Sequence, residues 1–158
     1  MVALMNGHDT CREVNINGDC VWCVCETNYK SDIDEVFSLA AKACSLADIL
    51  NYKLSKKGYQ NYGVGVGLDY GRALMIKAGN KGSTIQDVVW MGDVVNQACH
   101  LSNEANSGYL DKRVFLSNII YDNLNDTYKA LCTKDGGRDI YQADIVNVEM
   151  NDWLKGQK

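Results

Sequence analysis

The 158-residue sequence contains no proline, and so lacks the residue that most strongly punctuates linkers and domain boundaries. No internal repeat or low-complexity tract supplies a boundary either. A chain of this length suits one domain with a real hydrophobic core better than two, and a single domain over residues 1–158 is expected. Long apolar runs are also missing: nothing approaches the ~18 consecutive apolar residues of a membrane span. The first residues have no basic patch followed by an apolar signal core. The expectation is therefore a cytoplasmic protein without a membrane partner. Excess positive charge is absent too, since 16 Lys and Arg stand against 20 Asp and Glu for a net charge of −4. Phosphate backbones select clustered lysine and arginine, which argues against nucleic acid as a partner.

Histidine is scarce, with only His8 and His100 in unrelated contexts, and this bears on the seven cysteines. Cys20-Val21-Trp22-Cys23 has a C-x-x-C spacing, but a zinc site needs a second pair of ligands. The run Cys20 to Cys25 is apolar and reads as a strand, where side chains alternate, so Cys20 and Cys23 point to opposite sides. Reduced, structural cysteines are expected. A phosphate loop is missing as well. Gly63-x-Gly65-x-Gly67 does not have the G-x-G-x-x-G spacing, and no helix opens after it. Glycines in such a run mark close backbone approach or a bulge.

What is present is a clear order of elements. Residues 1–11 are weakly patterned, and are read as disordered or only partly docked. Arg12 to Ile16, the turn dipeptide Asn17-Gly18 and the run from Asp19 to Cys25 read as a hairpin. Ser31 and Asp34 form a capping-box-like start to a helix over about 32–55, whose apolar residues Ile33, Val36, Phe37, Ala40, Cys44, Ala47 and Leu50 recur at helical steps. Strands are expected at Tyr62 to Leu68 and at Ala73 to Ile76, with a turn near Asp69 to Gly71. A loop at Asn80 to Ser83, a strand at Val88 to Trp90 and a helix at Gly92 to Asn103 follow. A strand at Val114 to Leu116, a helix from Asn118 to Leu131 and a last strand around Ile140 to Val148 complete the chain.

The stretch around Asn96 carries the most chemistry. Val94, Val95, Ala98 and Leu101 recur at helical spacing, so Asn96 and His100, four residues apart, share the opposite face. Two hydrogen-bonding side chains one turn apart can grip a single ligand; the same spacing also describes an ordinary solvated face, or a half-buried histidine.

The string Gly92-Asp93-Val94-Val95-Asn96-Gln97-Ala98-Cys99-His100-Leu101 resembles the "G-D-x-V-N-x-A-x-x-L" helix of class III nucleotidyl cyclases. In that family the asparagine, and an arginine four residues on, stabilise the nucleotide while its 3′-hydroxyl attacks the α-phosphate. His100 stands where the arginine would be, and a neutral imidazole offers one donor where a guanidinium offers a fork of them. Ile16-Asn17-Gly18-Asp19 and the apolar run after it resemble the family's metal-binding hairpin, which makes Asp19 the implied metal ligand. Without the resemblance Asp19 is equally a turn aspartate. Gly67-Leu68-Asp69-Tyr70-Gly71-Arg72-Ala73-Leu74-Met75-Ile76-Lys77-Ala78-Gly79 and Val88-Val89-Trp90-Met91-Gly92 look most like the bacterial pyrimidine cyclases of Pycsar antiphage defence. The likeness runs from about Asn15 to about Asp126.

The resemblance implies an α+β fold with a mixed ferredoxin-like (palm) sheet packed with helices. It implies conversion of UTP to cyclic UMP and diphosphate, with cyclic CMP from CTP, or an inert cyclase-like binding or dimerisation domain, as the alternatives. It also implies a two-metal site for Mn²⁺ or Mg²⁺ and a homodimer with shared active sites. Base readout in purine-using relatives falls at the positions of Asn15 and Val89. Val89 offers a base edge no hydrogen bond, so purine readout by that pair is broken. Asn15 presents both donor and acceptor to a pyrimidine, or satisfies its own turn. The family's first strand, with its "D-x-x-G-F" aspartate, has no counterpart before Asp19. The expectation is an N-terminally truncated cyclase or a short relative without a full metal site.

Overall fold

The computed structural model describes residues 1–79, 86–108 and 111–157. Its first element is α1 (Val2–Asn6), followed by the hairpin β1 (Cys11–Asn17) and β2 (Cys20–Cys25). Residues 1–11 are therefore ordered, and α1 packs against β1, although it buries no residue completely. The turn lies one position later than the Asn17-Gly18 dipeptide suggests. Asn17 pairs with Cys20, leaving Gly18 and Asp19 as the two central residues, and Gly18 takes the φ of +62° that a tight hairpin needs at its first centre. This puts Asp19 at the exposed tip.

The long helix α2 (Lys30–Lys56) matches the apolar spacing. Its cap does not involve Ser31 and Asp34. The carboxylate of Asp32 accepts from the backbone N–H groups of Asn28 at 2.8 Å and Tyr29 at 2.9 Å, while Asp34 accepts from Asn125 N–H at 2.9 Å. After α2 come β3 (Val66–Leu68), β4 (Leu74–Gly79), β5 (Gln86–Met91) and α3 (Asp93–Glu104). The expected strand over Tyr62 to Leu68 shrinks to its last three residues. Asn80 to Ser83 lie outside the described residues.

The C-terminal third departs further from expectation. Asn118 to Leu131 is two short helices, α4 (Asn118–Asn123) and α5 (Asp126–Lys129), followed by β7 (Cys132–Lys134) after β6 (Val114–Ser117). Leu124 breaks the helix because its side chain enters the core, and Asn125 then caps α5 by accepting from Tyr128 N–H at 2.9 Å. The last strand, β8 (Ile140–Ala143), ends early, and α6 (Val148–Lys155) follows. Asn147 starts that helix by accepting from Met150 N–H at 3.0 Å, while its own N–H donates to Ser45 Oγ at 2.8 Å.

Among the described residues the strands form three sheets. A four-stranded mixed sheet has the order β3-β6-β8-β7, with β3 parallel to β6 and the other pairs antiparallel; β1-β2 and β4-β5 are separate ribbons. The mixed α+β expectation holds. Val114, Phe115 and Leu116 of β6 are all fully buried, because both faces of the sheet are covered. On one side Val114 and Leu116 meet Ile33, Phe37, Ala40 and Cys44 of α2; on the other Phe115 meets Leu101 of α3 and Ala105. Arg113 ties the first side together, donating to Asp48 at 2.9 Å and to Asp144 at 2.7 Å. Burial works against its charge, but the hydrogen bonds to Asp144 and Asp48 outweigh that and hold its pKa above the ordinary value.

The contact between β3 and α3 explains the glycines. A Cβ at Gly67 would lie 2.1 Å from the carbonyl oxygen of Ala98 and 2.5 Å from the nitrogen of Ser102, and one at Gly65 would lie 2.4 Å from the oxygen of Ser102. Helix and chain touch backbone to backbone, which only glycine permits. Gly65 thus lies against the C-terminal end of α3 rather than in a ladder, while Tyr62 N–H donates to Asn51 Oδ1 of α2 at 3.0 Å and its carbonyl accepts from Asn51 Nδ2 at 2.8 Å. We expect Gly67→Ala to destabilise the fold by roughly 1–3 kcal/mol or more, as an overpacked core does, measurable by urea denaturation.

Asp135 generates a prediction in pH. Backbone N–H groups of Gly137 and Arg138, each at 2.8 Å, hold its carboxyl down to about 2. A carboxyl depressed on folding contributes stability that is present above the ordinary range near 4 and is lost as pH falls through the folded value. Asp135→Asn should therefore be less stable than the native chain at pH 7, with the gap closing between about pH 4 and 2. A gap that does not change with pH in urea titrations would show that these bonds do not set the carboxyl.

Candidate active site

Helix α3 presents its site residues as its apolar spacing requires. Leu101 is buried, Val94, Val95, Ala98 and Cys99 are half-buried, and Asn96 and His100 are exposed one turn apart. His100 is thus not a half-buried histidine. The helix starts where β5 ends: a Cβ at Gly92 would lie 2.7 Å from the carbonyl oxygen of Arg72, and Gly92 O accepts from Val95 N–H at 3.1 Å. The side chains of Asn96 and His100 have no hydrogen-bond partner among the described residues, so their donors and acceptors are open to a ligand.

The β1-β2 hairpin brings a second group to the same region. Odd-numbered Glu13 and Asn15 share one face of β1, and Trp22 stands directly across from Asn15 on β2. Glu13 accepts from Asn15 Nδ2 at 3.2 Å and from the indole Nε1 of Trp90 on β5 at 3.1 Å. One carboxylate thus joins two ribbons that share no strand pairing. Strand alternation puts Val89 on the other face of β5 from Trp90, paired with Ile76 and 39% exposed. The structure therefore gathers Asn15 with Trp90, not with Val89. Sequence spacing missed Glu13 and Trp90. The only sign of Glu13 was its shared face with Asn15.

Nearer the tip, the Cys20 thiol is raised above its ordinary pKa by burial and then by Cys99 of α3 and by Asp19. The tip end of the hairpin therefore lies near the helix that carries Asn96. Asp19 itself is exposed, with no hydrogen-bond partner among the described residues. The opposite face of the hairpin carries Cys23, whose Sγ lies 3.7 Å from that of Cys25. Cys20 and Cys23 do point apart, and all seven cysteines are free thiols. Hydrogen bonding between the pair lowers Cys25 to about 7 and raises Cys23.

The site is open rather than a closed pocket. A cleft of about 440 Å³ between α2 and α6, lined by Asp48, Asn51, Tyr52 and Asn151 among others, contains none of these residues. Among the described residues no group of three or more His, Cys, Asp or Glu is placed to hold a metal ion. A divalent cation takes several oxygen ligands, so these side chains do not make up a resident two-ion site, and Asp19 supplies one carboxylate only. Beside the site, the β4-β5 ribbon exposes apolar side chains, with Leu74 at 62% and Met91 at 54%. No helix among the described residues is long and apolar enough to cross a membrane.

No family model matches the chain. It is 34% identical over 158 residues to a uridylate cyclase of Treponema porcinum, an alignment covering 98% of this chain and 55% of that protein. To a uridylate cyclase of Gulbenkiania mobilis it is 32% identical over 175 residues, covering 100% of this chain and 68% of that protein. The chain thus spans between about half and two thirds of the length of these curated relatives. Its fold matches the crystal structure of the guanylyl cyclase Cya2 with a TM-score of 0.69, covering 93% of this chain and 76% of that one; at 13% identity this likeness speaks for the fold alone. Identity of this level over the whole chain, on a class III cyclase fold, means that the chain belongs to the uridylate cyclase family.

Proposed function

We propose that this chain carries the nucleotide-binding face of a pyrimidine cyclase that converts UTP to cyclic UMP and diphosphate. The observation that carries the reading is the placement of two unpartnered polar groups, Asn96 and His100, on the exposed face of α3, which follows directly from the strand that Glu13 ties to Asn15. In the reaction the ribose 3′-oxygen forms a bond to the α-phosphorus, the bond from that phosphorus to the diphosphate oxygen breaks so that diphosphate departs with the electron pair, and the hydroxyl proton passes to solvent water. Charge builds on the phosphate oxygens as this happens. Donors already fixed in place stabilise that charge without reorganising. Asn96 and His100 supply such donors, and Asn15 reads the base edge.

Two further parts complete the proposal. Mn²⁺ or Mg²⁺ belongs with the triphosphate as part of the substrate, and Asp19 is the carboxylate that meets it. The partner is a second copy of the chain, with shared active sites. That reading is supported by the open site and by the exposed apolar β4-β5 ribbon, which a second protomer would cover. A cytoplasmic enzyme that signals during phage infection is the biological setting of the proposal. CTP is the alternative substrate. A second reading, an inert cyclase-like domain, is favoured by the lone carboxylate at the hairpin tip.

Incubation with ATP, GTP, CTP and UTP plus Mn²⁺, with mass spectrometry of the products, tests these readings. Cyclic UMP is expected, with none formed by Asp19→Ala. Asn96→Ala should slow cyclisation by about 10²–10³-fold, the usual cost of one donor to a developing charge. His100→Arg should preserve or raise the rate; a complete loss would mean that His100 does not contact phosphate. No cyclic product from any nucleotide would favour the inert domain.

A further inference from the structure

We infer that Glu13 is a positioning residue that locks the amide of Asn15 in one orientation and thereby sets which pyrimidine the site accepts. The inference rests on the nucleotide-cyclase reading above and deepens it.

An ionised carboxylate only accepts hydrogen bonds, and an indole N–H only donates. Glu13 is clasped from β5 by Trp90 Nε1 on one oxygen at 3.1 Å, and its other oxygen meets Asn15 Nδ2 at 3.2 Å. An asparagine amide is nearly symmetric in shape but not in chemistry. If it turned over, its oxygen would face the carboxylate, with repulsion in place of a charge-assisted bond. The nitrogen end of Asn15 is therefore held towards Glu13, and the oxygen end is held away from it.

Orientation matters because uracil and cytosine differ by an exchange of donor and acceptor. Along the Watson–Crick edge uracil presents an acceptor at O4 and a donor at N3–H. Cytosine presents a donor at N4 and an acceptor at N3. An amide free to turn satisfies both bases, whereas one locked in a single orientation satisfies one and sets like against like with the other. The discrimination that Asn15 alone lacks is thus supplied by a residue two positions earlier, which need not touch the nucleotide.

Glu13→Gln tests this with almost no change of shape. A glutamine has one acceptor for two donors. If its oxygen faces Asn15, its NH₂ meets the Trp90 N–H, donor against donor. If its oxygen faces Trp90, its NH₂ meets Asn15, and Asn15 must turn, since the indole cannot. Adding Trp90→Phe removes the competing donor, and the glutamine oxygen can face Asn15 again.

The experiment is calorimetric titration of the chain with the Mn²⁺ complexes of α,β-methylene UTP and CTP, which cannot cyclise. The native chain is expected to prefer the uridine analogue. Glu13→Gln should compress the ratio of the two Kd values by about tenfold or more, the scale of one mispaired polar contact. The double variant Glu13→Gln with Trp90→Phe should move the ratio back towards the native value. A merely structural role for Glu13 predicts the opposite order, with the double variant worse than the single. An unchanged ratio in Glu13→Gln, or no recovery in the double variant, overturns the inference while leaving the cyclase reading intact. Failure of the native chain to bind either analogue overturns both.

Discussion

Backbone contact between the glycine segment and α3 is the constraint on which the site depends. Ala98 and Ser102 of the helix lie so near Gly65 and Gly67 that no side chain fits between them. The chain enters β3 from that contact, and β3 pairs with β6, the strand buried on both faces. The exposed stripe of Asn96 and His100 is therefore indexed to the centre of the molecule through a helix that cannot roll or slide. A close-packed interior transmits such constraints because it has little room to relax.

The remaining polar ties serve the same architecture from the edges. Arg113 links α2 to the segment after β8 through Asp48 and Asp144. Arg138 meets Asp111 at 2.5 Å and Asp135 at 2.9 Å while its guanidinium lies 4.7 Å from the centre of the Phe115 ring. Arg113 and Asp144 flank the paired residues Val114 and Ala143, and Asp135 and Arg138 lie in the turn between β7 and β8, so these ties reinforce the ends of existing ladders and reach from them to α2 and Asp111. Arg138 sits on the side of the sheet where α3 packs, so the second face of β6 is closed by charge at its rim and by Leu101, Ala105 and Ile140 within.

How much was legible in the sequence depended on the range of the interaction that decided each element. The hairpin, α2 and α3 are set by local patterns, alternation for Cys20 to Cys25 and three-to-four spacing for Val94 to Leu101, and these appeared where expected. The break at Leu124 was not legible, because burial of that residue against the distant α2 outweighs local helical preference. Likewise α6 begins at an asparagine anchored by Ser45, 102 residues away in the chain. At the site, Asn96, His100 and Asp19 came from motif spacing. Trp90 lies 77 residues from Glu13, and nothing local to either marks their pairing.

Among the described residues the two ribbons of the site, β1-β2 and β4-β5, share no strand pairing with each other or with the four-stranded sheet. Their strands cannot shear internally without breaking ladders, yet no ladder fixes the angle between them. The hairpin and the ribbon are therefore two separate ladders joined through the Glu13 side chain. On the cyclase reading proposed above, the placement of the hairpin against β5 is set through side chains, so a substitution at Glu13 or Trp90 reaches the base-reading face without breaking a rung of either ladder.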